Sequence, residues 1–183
     1  MSKRALFVLL FAAVAATAMQ AQKLPTATKT LDIQAGGDFV YGHSDYGTRL
    51  KGYGIYSTID FKPHFGVELD LHQGNGTDQI YERTYEVGAR YMRHYGRFSP
   101  YAKVMVGRGV FNFPPYPTDP AGGPRANLAY NMFALGGGTD YKLKSYLNLR
   151  ADFEYQDWAS DRLELQHGLT PYLLSIGAAY HFR

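Results

Sequence analysis

Residues 147–156 read Leu147-Asn148-Leu149-Arg150-Ala151-Asp152-Phe153-Glu154-Tyr155-Gln156. Every odd position is apolar or aromatic, and every even position is polar, with charges at Arg150, Asp152 and Glu154. Successive side chains of a strand point to opposite faces, so a period of two separates two surfaces, as no helix would. The segment therefore predicts a strand with one apolar face and one charged face.

The same alternation recurs on both sides of it. In 31–41, Leu31, Ile33, Ala35, Phe39 and Tyr41 oppose Asp32, Gln34, Gly36 and Asp38. Tyr53, Ile55, Ile59 and Phe61 oppose Gly52, Gly54, Thr58 and Asp60, and Phe65, Val67, Leu69 and Leu71 oppose Gly66, Glu68, Asp70 and His72. Tyr81, Tyr85, Val87, Ala89 and Tyr91 oppose Glu82, Thr84, Glu86, Gly88 and Arg90. Over 101–112, Ala102, Val104, Val106 and Val110 oppose Lys103, Met105, Gly107 and Gly109, with Tyr101 inward and Arg108 outward unless a bulge reverses an end. Phe133, Leu135 and Tyr141 oppose Ala134, Gly136, Gly138 and Asp140, and Leu174, Ile176, Ala178, Tyr180 and Phe182 oppose Ser175, Gly177, Ala179 and His181. The count is eight, an even number, of segments near the ~9–11 residues that cross a bilayer at a tilt. The connections at 62–64 and 142–145 are tight and that at 93–100 is moderate; the other side carries 43–48, 73–79, the Pro/Gly-rich 113–127 and 158–170.

A soluble sandwich or barrel also alternates, so the polar face decides the solvent. It mixes acids, Arg and Lys with many glycines, which suits a narrow lumen where charges interlock and small residues make room. The apolar face carries Phe61, Phe65, Tyr91, Tyr141 and Tyr180 towards one end. Tyr41, Tyr53, Tyr81 and Tyr155 lie towards the other, as two interfacial girdles around Val, Leu, Ile and Ala. The expected fold is all-β: an eight-stranded antiparallel transmembrane up-and-down barrel over 30–183. In lipid every backbone group must pair internally, which requires closure.

Composition agrees. The 183 residues include 16 Tyr, 11 Phe, 20 Gly and no Cys, and only 19% are charged. A mean hydropathy of −0.31 excludes a polytopic helical membrane protein. Lys3-Arg4, the uncharged run 5–18 and the small-residue exits at Ala18 and Ala21 predict a cleaved signal peptide over 1–21, followed by a short lead, 22–29. Cleavage would remove two of 19 bases and leave 17 − 16 = +1. No basic patch or nucleic-acid motif is present, which excludes nucleic-acid partners.

Phe133-Ala-Leu-Gly-Gly-Gly-Thr-Asp-Tyr141, the 147–155 strand and Leu174 to Phe182 together resemble the OmpA-like, opacity-type outer-membrane β-barrel family over roughly 30–183. The resemblance implies a bacterial outer-membrane location with both termini periplasmic. It also makes Tyr180 and Phe182 part of the C-terminal signal read by the barrel-assembly machinery. The chain departs from the pattern at Arg183, since the family usually ends on the aromatic. The peptidoglycan-binding domain of longer members is not expected here.

Eight strands enclose a space just wide enough for side chains, so the lumen is expected to be a packed polar interior without a large pore. Glu68, Glu86, Arg90, Lys103, Asp140, Arg150, Asp152 and Glu154 are expected to form its ion-pair network. Asp70 and His72 share a strand but lack a recognisable third ligand, so neither a metal nor a cofactor is expected. Some barrels of this size modify lipid A using His with Ser or Asp. His43-Ser44-Asp45 and Ser160, Asp161 and His167 are such residues in loops, where they also serve as turn formers. Binding through the loops is the remaining class, with Tyr116 and Arg125 in 113–127 as candidate contacts to a host, phage or surface ligand. Arg49, Arg83 and Arg108 near the rim could meet lipopolysaccharide phosphates. A structural or surface-interaction role is the expected function, with a lipid A-modifying enzyme or an adhesin/receptor as alternatives.

Overall fold

The computed structural model describes residues 31–45, 47–77, 80–113, 126–159 and 169–182. The leader, the lead, Tyr116, Arg125, Ser160, Asp161, His167 and Arg183 fall outside them.

Eight strands follow one another: β1 (Asp32–His43), β2 (Arg49–Lys62), β3 (Phe65–Asn75), β4 (Tyr81–Met92), β5 (Phe98–Phe113), β6 (Ala126–Lys144), β7 (Leu147–Trp158) and β8 (Tyr172–Phe182). Each pairs antiparallel with its neighbour in sequence, and β8 returns to β1 from Phe182↔Ile33 to Tyr172↔His43, closing the barrel. Closure removes the unpaired edge that an open sheet would expose to lipid. One end carries the tight connections 63–64, 93–97 and 145–146; this is the turn end. The connections at 44–48, 76–80, 114–125 and 159–171 lie at the other, the loop end. Gly47 and Gly96 hold φ values of 71° and 64° in two of these connections, in the left-handed region that a side chain rarely adopts.

Alternation sets the two surfaces. The outer wall exposes Phe39, Ile55, Leu69, Val87, Val106, Leu135, Phe153 and Ile176. Its turn-end belt is built of ring contacts: Phe65 on Tyr91 at 5.1 Å, Phe98 on Tyr141 at 4.9 Å, and Tyr180 on Phe182 at 5.1 Å. The loop-end belt includes Tyr41, Tyr53, Tyr85, Tyr155 and Tyr172. Tyr101 is buried in the lumen and Arg108 is exposed outside, with unbroken β4–β5 and β5–β6 registers between them.

The strands at the loop end are longer than the sequence pattern indicates. β5 continues to Phe113 and β6 begins at Ala126, paired to the end, so the long loop shrinks to 114–125. The β6–β7 ladder stops at Met132↔Trp158, leaving Ala126–Asn131 of β6 to run on for about 20 Å beyond it. Trp158, assigned to a loop from the sequence, is the last residue of β7 and is fully buried.

Candidate functional site

The lumen is the most heavily built part of the molecule. In its turn-end half three bases from β4, β5 and β7 meet carboxylates from β2, β3, β6 and β7. Arg90 reaches Glu68 and Asp140 at 2.9 Å each, and Asp60 at 3.5 Å. Arg150 holds Asp140 at 2.8 Å and Glu68 at 3.1 Å. Lys103 Nζ lies 2.7–3.1 Å from Asp70, Asp152, Glu154 and Glu68. Glu68 thus receives all three cations. The Tyr101 ring is shared by the two guanidiniums, 4.6 Å from Arg90 and 5.0 Å from Arg150, and its hydroxyl donates to Asp152 at 2.5 Å. Tyr56 covers Arg150 at 4.0 Å. Such geometry offsets the cost of stripping water from charges, and removing one partner would leave the others buried and uncompensated.

Of the eight residues read as a network, seven are joined this way and Glu86 is not. It faces His72, with Oε1 3.7 Å from Nδ1, and accepts from Gln156 Nε2 at 3.3 Å. Asp60, Asp70, Tyr56 and Tyr101 join the network without having been assigned to it. Tyr101 is legible as an inward ring, but its contact with both arginines depends on the registers from β4 to β7.

Charge in the lumen is unbalanced. Among the described residues, Asp38, Asp60, Glu68, Asp70, Glu82, Glu86, Asp140, Asp152 and Glu154 are buried, against Arg90, Lys103 and Arg150. Nine carboxylates meet three permanent cations.

Towards the loop end the interior changes character. Leu50, Phe111 and Trp158 are fully buried and cluster with Ile80, Phe113, Tyr130, Met132 and Leu169. Phe111 meets Phe113 edge-on at 4.7 Å, and Trp158 lies 6.1 Å from Tyr130. A Cβ on Gly109 would sit 2.5 Å from the Trp158 ring, so this position must be glycine for the indole to lie against the wall. Trp158 Nε1 donates to Gln156 Oε1 at 2.9 Å, tying the apolar cluster to the polar layer below. The expectation of a polar lumen throughout is thus corrected: the polar interior ends beneath an apolar plug. Aromatic and aliphatic side chains on both faces near the strand ends hid this from a pattern that labels faces by polarity.

The loop-end chemistry is dispersed. His43 stacks on Tyr172 at 5.6 Å, whereas Ser44 is fully buried. Asp45 accepts from the backbone N–H and the hydroxyl of Thr170, tying the first loop to the last. Arg49, Arg83 and Arg108 are exposed; Arg83 donates to Gln73 at 2.6 Å and lies over Tyr81. Tyr180 and Phe182 project outward from β8, half-exposed.

The family model for the outer membrane protein β-barrel domain matches residues 5–182. The chain belongs to this family. As an outer-membrane β-barrel protein it has solved structural neighbours of the same size. Neisserial surface protein A is 14% identical, with 84% of this chain and 97% of that one covered at a TM-score of 0.60. OprG from Pseudomonas aeruginosa is 18% identical over 83% and 96%, also at 0.60. Ail of Yersinia pestis, solved with the heparin analogue sucrose octasulfate, is 17% identical over 83% and 97% at 0.54. At these identities the likeness is one of fold. No curated protein sequence matches this outer-membrane barrel.

Proposed function

We propose that this small outer-membrane barrel acts at its loop end as a structural or surface-interaction protein, with a lumen that passes no large solute. The observation that carries the reading is the double filling of the interior. The network around Glu68 spans the barrel in its turn-end half, and the plug around Trp158 fills it nearer the loops. A barrel filled in this way leaves its outer surfaces to do the work. The β5–β6 hairpin favours this end in particular, because its paired strands run past the last β6–β7 pair to Phe113 and Ala126, and the chain between these two holds Tyr116 and Arg125.

In this reading the chain is exported by its signal peptide and inserted by the assembly machinery, which reads Tyr180 and Phe182. Both termini stand on the periplasmic side, so the loops face outward. Arg49, Arg83 and Arg108 meet lipopolysaccharide phosphates by charge-assisted hydrogen bonds. A sulfated sugar bound to Ail is in keeping with ligand capture by a barrel of this shape.

Replacing 114–125 by a short Gly-Ser link tests the assignment. Surface adhesion or phage adsorption should fall by roughly tenfold or more, as for loss of a binding hot spot. Heat-modifiable gel migration, which reports the folded barrel, should not change. Full binding by the loop-deleted protein would contradict a surface role for this hairpin.

A further inference from the structure

We propose that the lumen holds a divalent transition-metal ion between His72, Glu86 and Glu154, in the layer between the charge network and the apolar plug. The three residues come from β3, β4 and β7 and are all buried. One ligand atom from each lies within 4.8 Å of the other two. Gln156 bridges the two carboxylates, but no hydrogen bond within 3.5 Å brings the imidazole to them. His72 Nδ1 has no hydrogen-bond partner, and its neighbour Glu86 Oε1 stands 3.7 Å away, too far for one. Two atoms each about 2.1 Å from a tetrahedral or trigonal ion are separated by about 3.4–3.6 Å, close to this spacing. Glu86 Oε2 is likewise buried without a hydrogen-bond donor.

The surroundings complete the case. The other ring nitrogen of His72 faces Asp38, Nε2 to Oδ2 at 3.8 Å. A carboxylate behind a ligating imidazole orients the ring and raises its basicity. Gln156 Nε2 donates to Glu154 Oε1 at 2.6 Å and to Glu86 Oε1 at 3.3 Å, holding both carboxylates in place, while Trp158 fixes Gln156 in turn. Neither Glu86 nor Asp38 has a lysine or arginine within 4.0 Å among the described residues, although carboxylates outnumber bases in this lumen. An ion of charge +2 would neutralise part of that excess at Glu86, which no lysine or arginine reaches, and share Glu154 with Lys103, 3.0 Å away. One imidazole and two carboxylates suit zinc and its first-row neighbours; magnesium and calcium take oxygen ligands. With the plug above and the network below, the ion would enter as the barrel closes.

The test is elemental analysis of the full mature chain refolded into detergent micelles with zinc(II) present, then washed with a chelator. Folding is scored in parallel by heat-modifiable migration. Wild type should retain about one zinc per folded chain, and E86Q, E154Q and H72N should each retain less than about a tenth. E82Q, which neutralises a buried carboxylate outside the cluster, should retain zinc like wild type. Cobalt(II) in place of zinc should show the d–d absorption of a low-coordinate site in wild type and not in E86Q. Two outcomes would overturn the proposal: wild-type barrel carrying less than about a tenth of an ion, or zinc retained equally by folded E86Q. If the substituted chains fail to fold, the wild-type stoichiometry and the cobalt spectrum decide alone.

Discussion

The two halves of the lumen are lined by the same inward face of the same strands, yet they are filled by opposite means. In the turn-end half the wall offers Glu68, Arg90, Lys103, Asp140 and Arg150, which fill space by interlocking charge. Near the loops it offers Leu50, Phe111, Met132 and Trp158, which fill it by apolar packing. The network is directional: each member fixes its neighbours, and loss of one strands several. The plug is not, and its loss costs the area removed from water plus the void left behind. A single structural device, the alternation of side chains across a closed sheet, accommodates both because closure leaves the interior out of lipid whatever its polarity.

Substitutions that act on one half and spare the other break this comparison, and the network should respond most. Arg150→Met removes a cation from Glu68 and Asp140 and should destabilise the barrel by about 4 kcal/mol, read as a lower denaturant midpoint in lipid vesicles. A loss below about 1 kcal/mol would show that the network is solvated rather than interlocked. Trp158→Ala should cost about 3 kcal/mol in the same measurement, at the lower end of the range for large-to-small changes, because water entering from the loop end relieves part of the void. It should leave the bilayer non-conducting, since the network below remains. Gly109→Ala crowds the indole from the β5 wall and should cost about 2 kcal/mol, an overpacking effect that Trp158→Ala abolishes when the two are combined. The smallest effect belongs outside the lumen altogether. Asp45→Ala releases Thr170 and should cost about 1 kcal/mol, visible mainly as faster proteolysis of the last loop.

The same contrast explains what was legible in the sequence. Where one face is charged and the other apolar, as in Leu147–Tyr155, polarity alone assigns each side chain to lumen or lipid. The eight strands and the inward placing of Arg90, Lys103 and Arg150 can be read this way, whereas Tyr101 inside and Arg108 outside run against their polarity and follow from period-two parity alone. Where both faces are apolar, the signal vanishes. Phe111, Asn112 and Phe113 are buried in succession, and Trp158 sits among residues that read as a loop, so the plug had no signature. The lengths of β5 and β6 were hidden for a related reason: 126–131 runs past its β7 partner, where no second neighbour enforces a strict alternation.

A different limit governs the layer between the two halves. Asp70 and His72 were visible as neighbours on one face of β3, but Glu86 and Glu154 come from β4 and from β7 across the lumen. Nothing in a linear pattern sets the height of β7 against β3, because that offset is the sum of the registers between them. The same holds for Glu68, whose three cations arrive from β4, β5 and β7. Residue types and faces are local properties, whereas the constellations they form depend on the stagger of the closed sheet.

Single-channel recording of the purified wild-type barrel in planar lipid bilayers tests the doubly filled lumen most directly. A silent membrane is expected, with discrete steps emerging only when Arg150→Ala and Trp158→Ala are combined. Stable conductance steps from the wild-type protein, unaltered by either substitution, would contradict it.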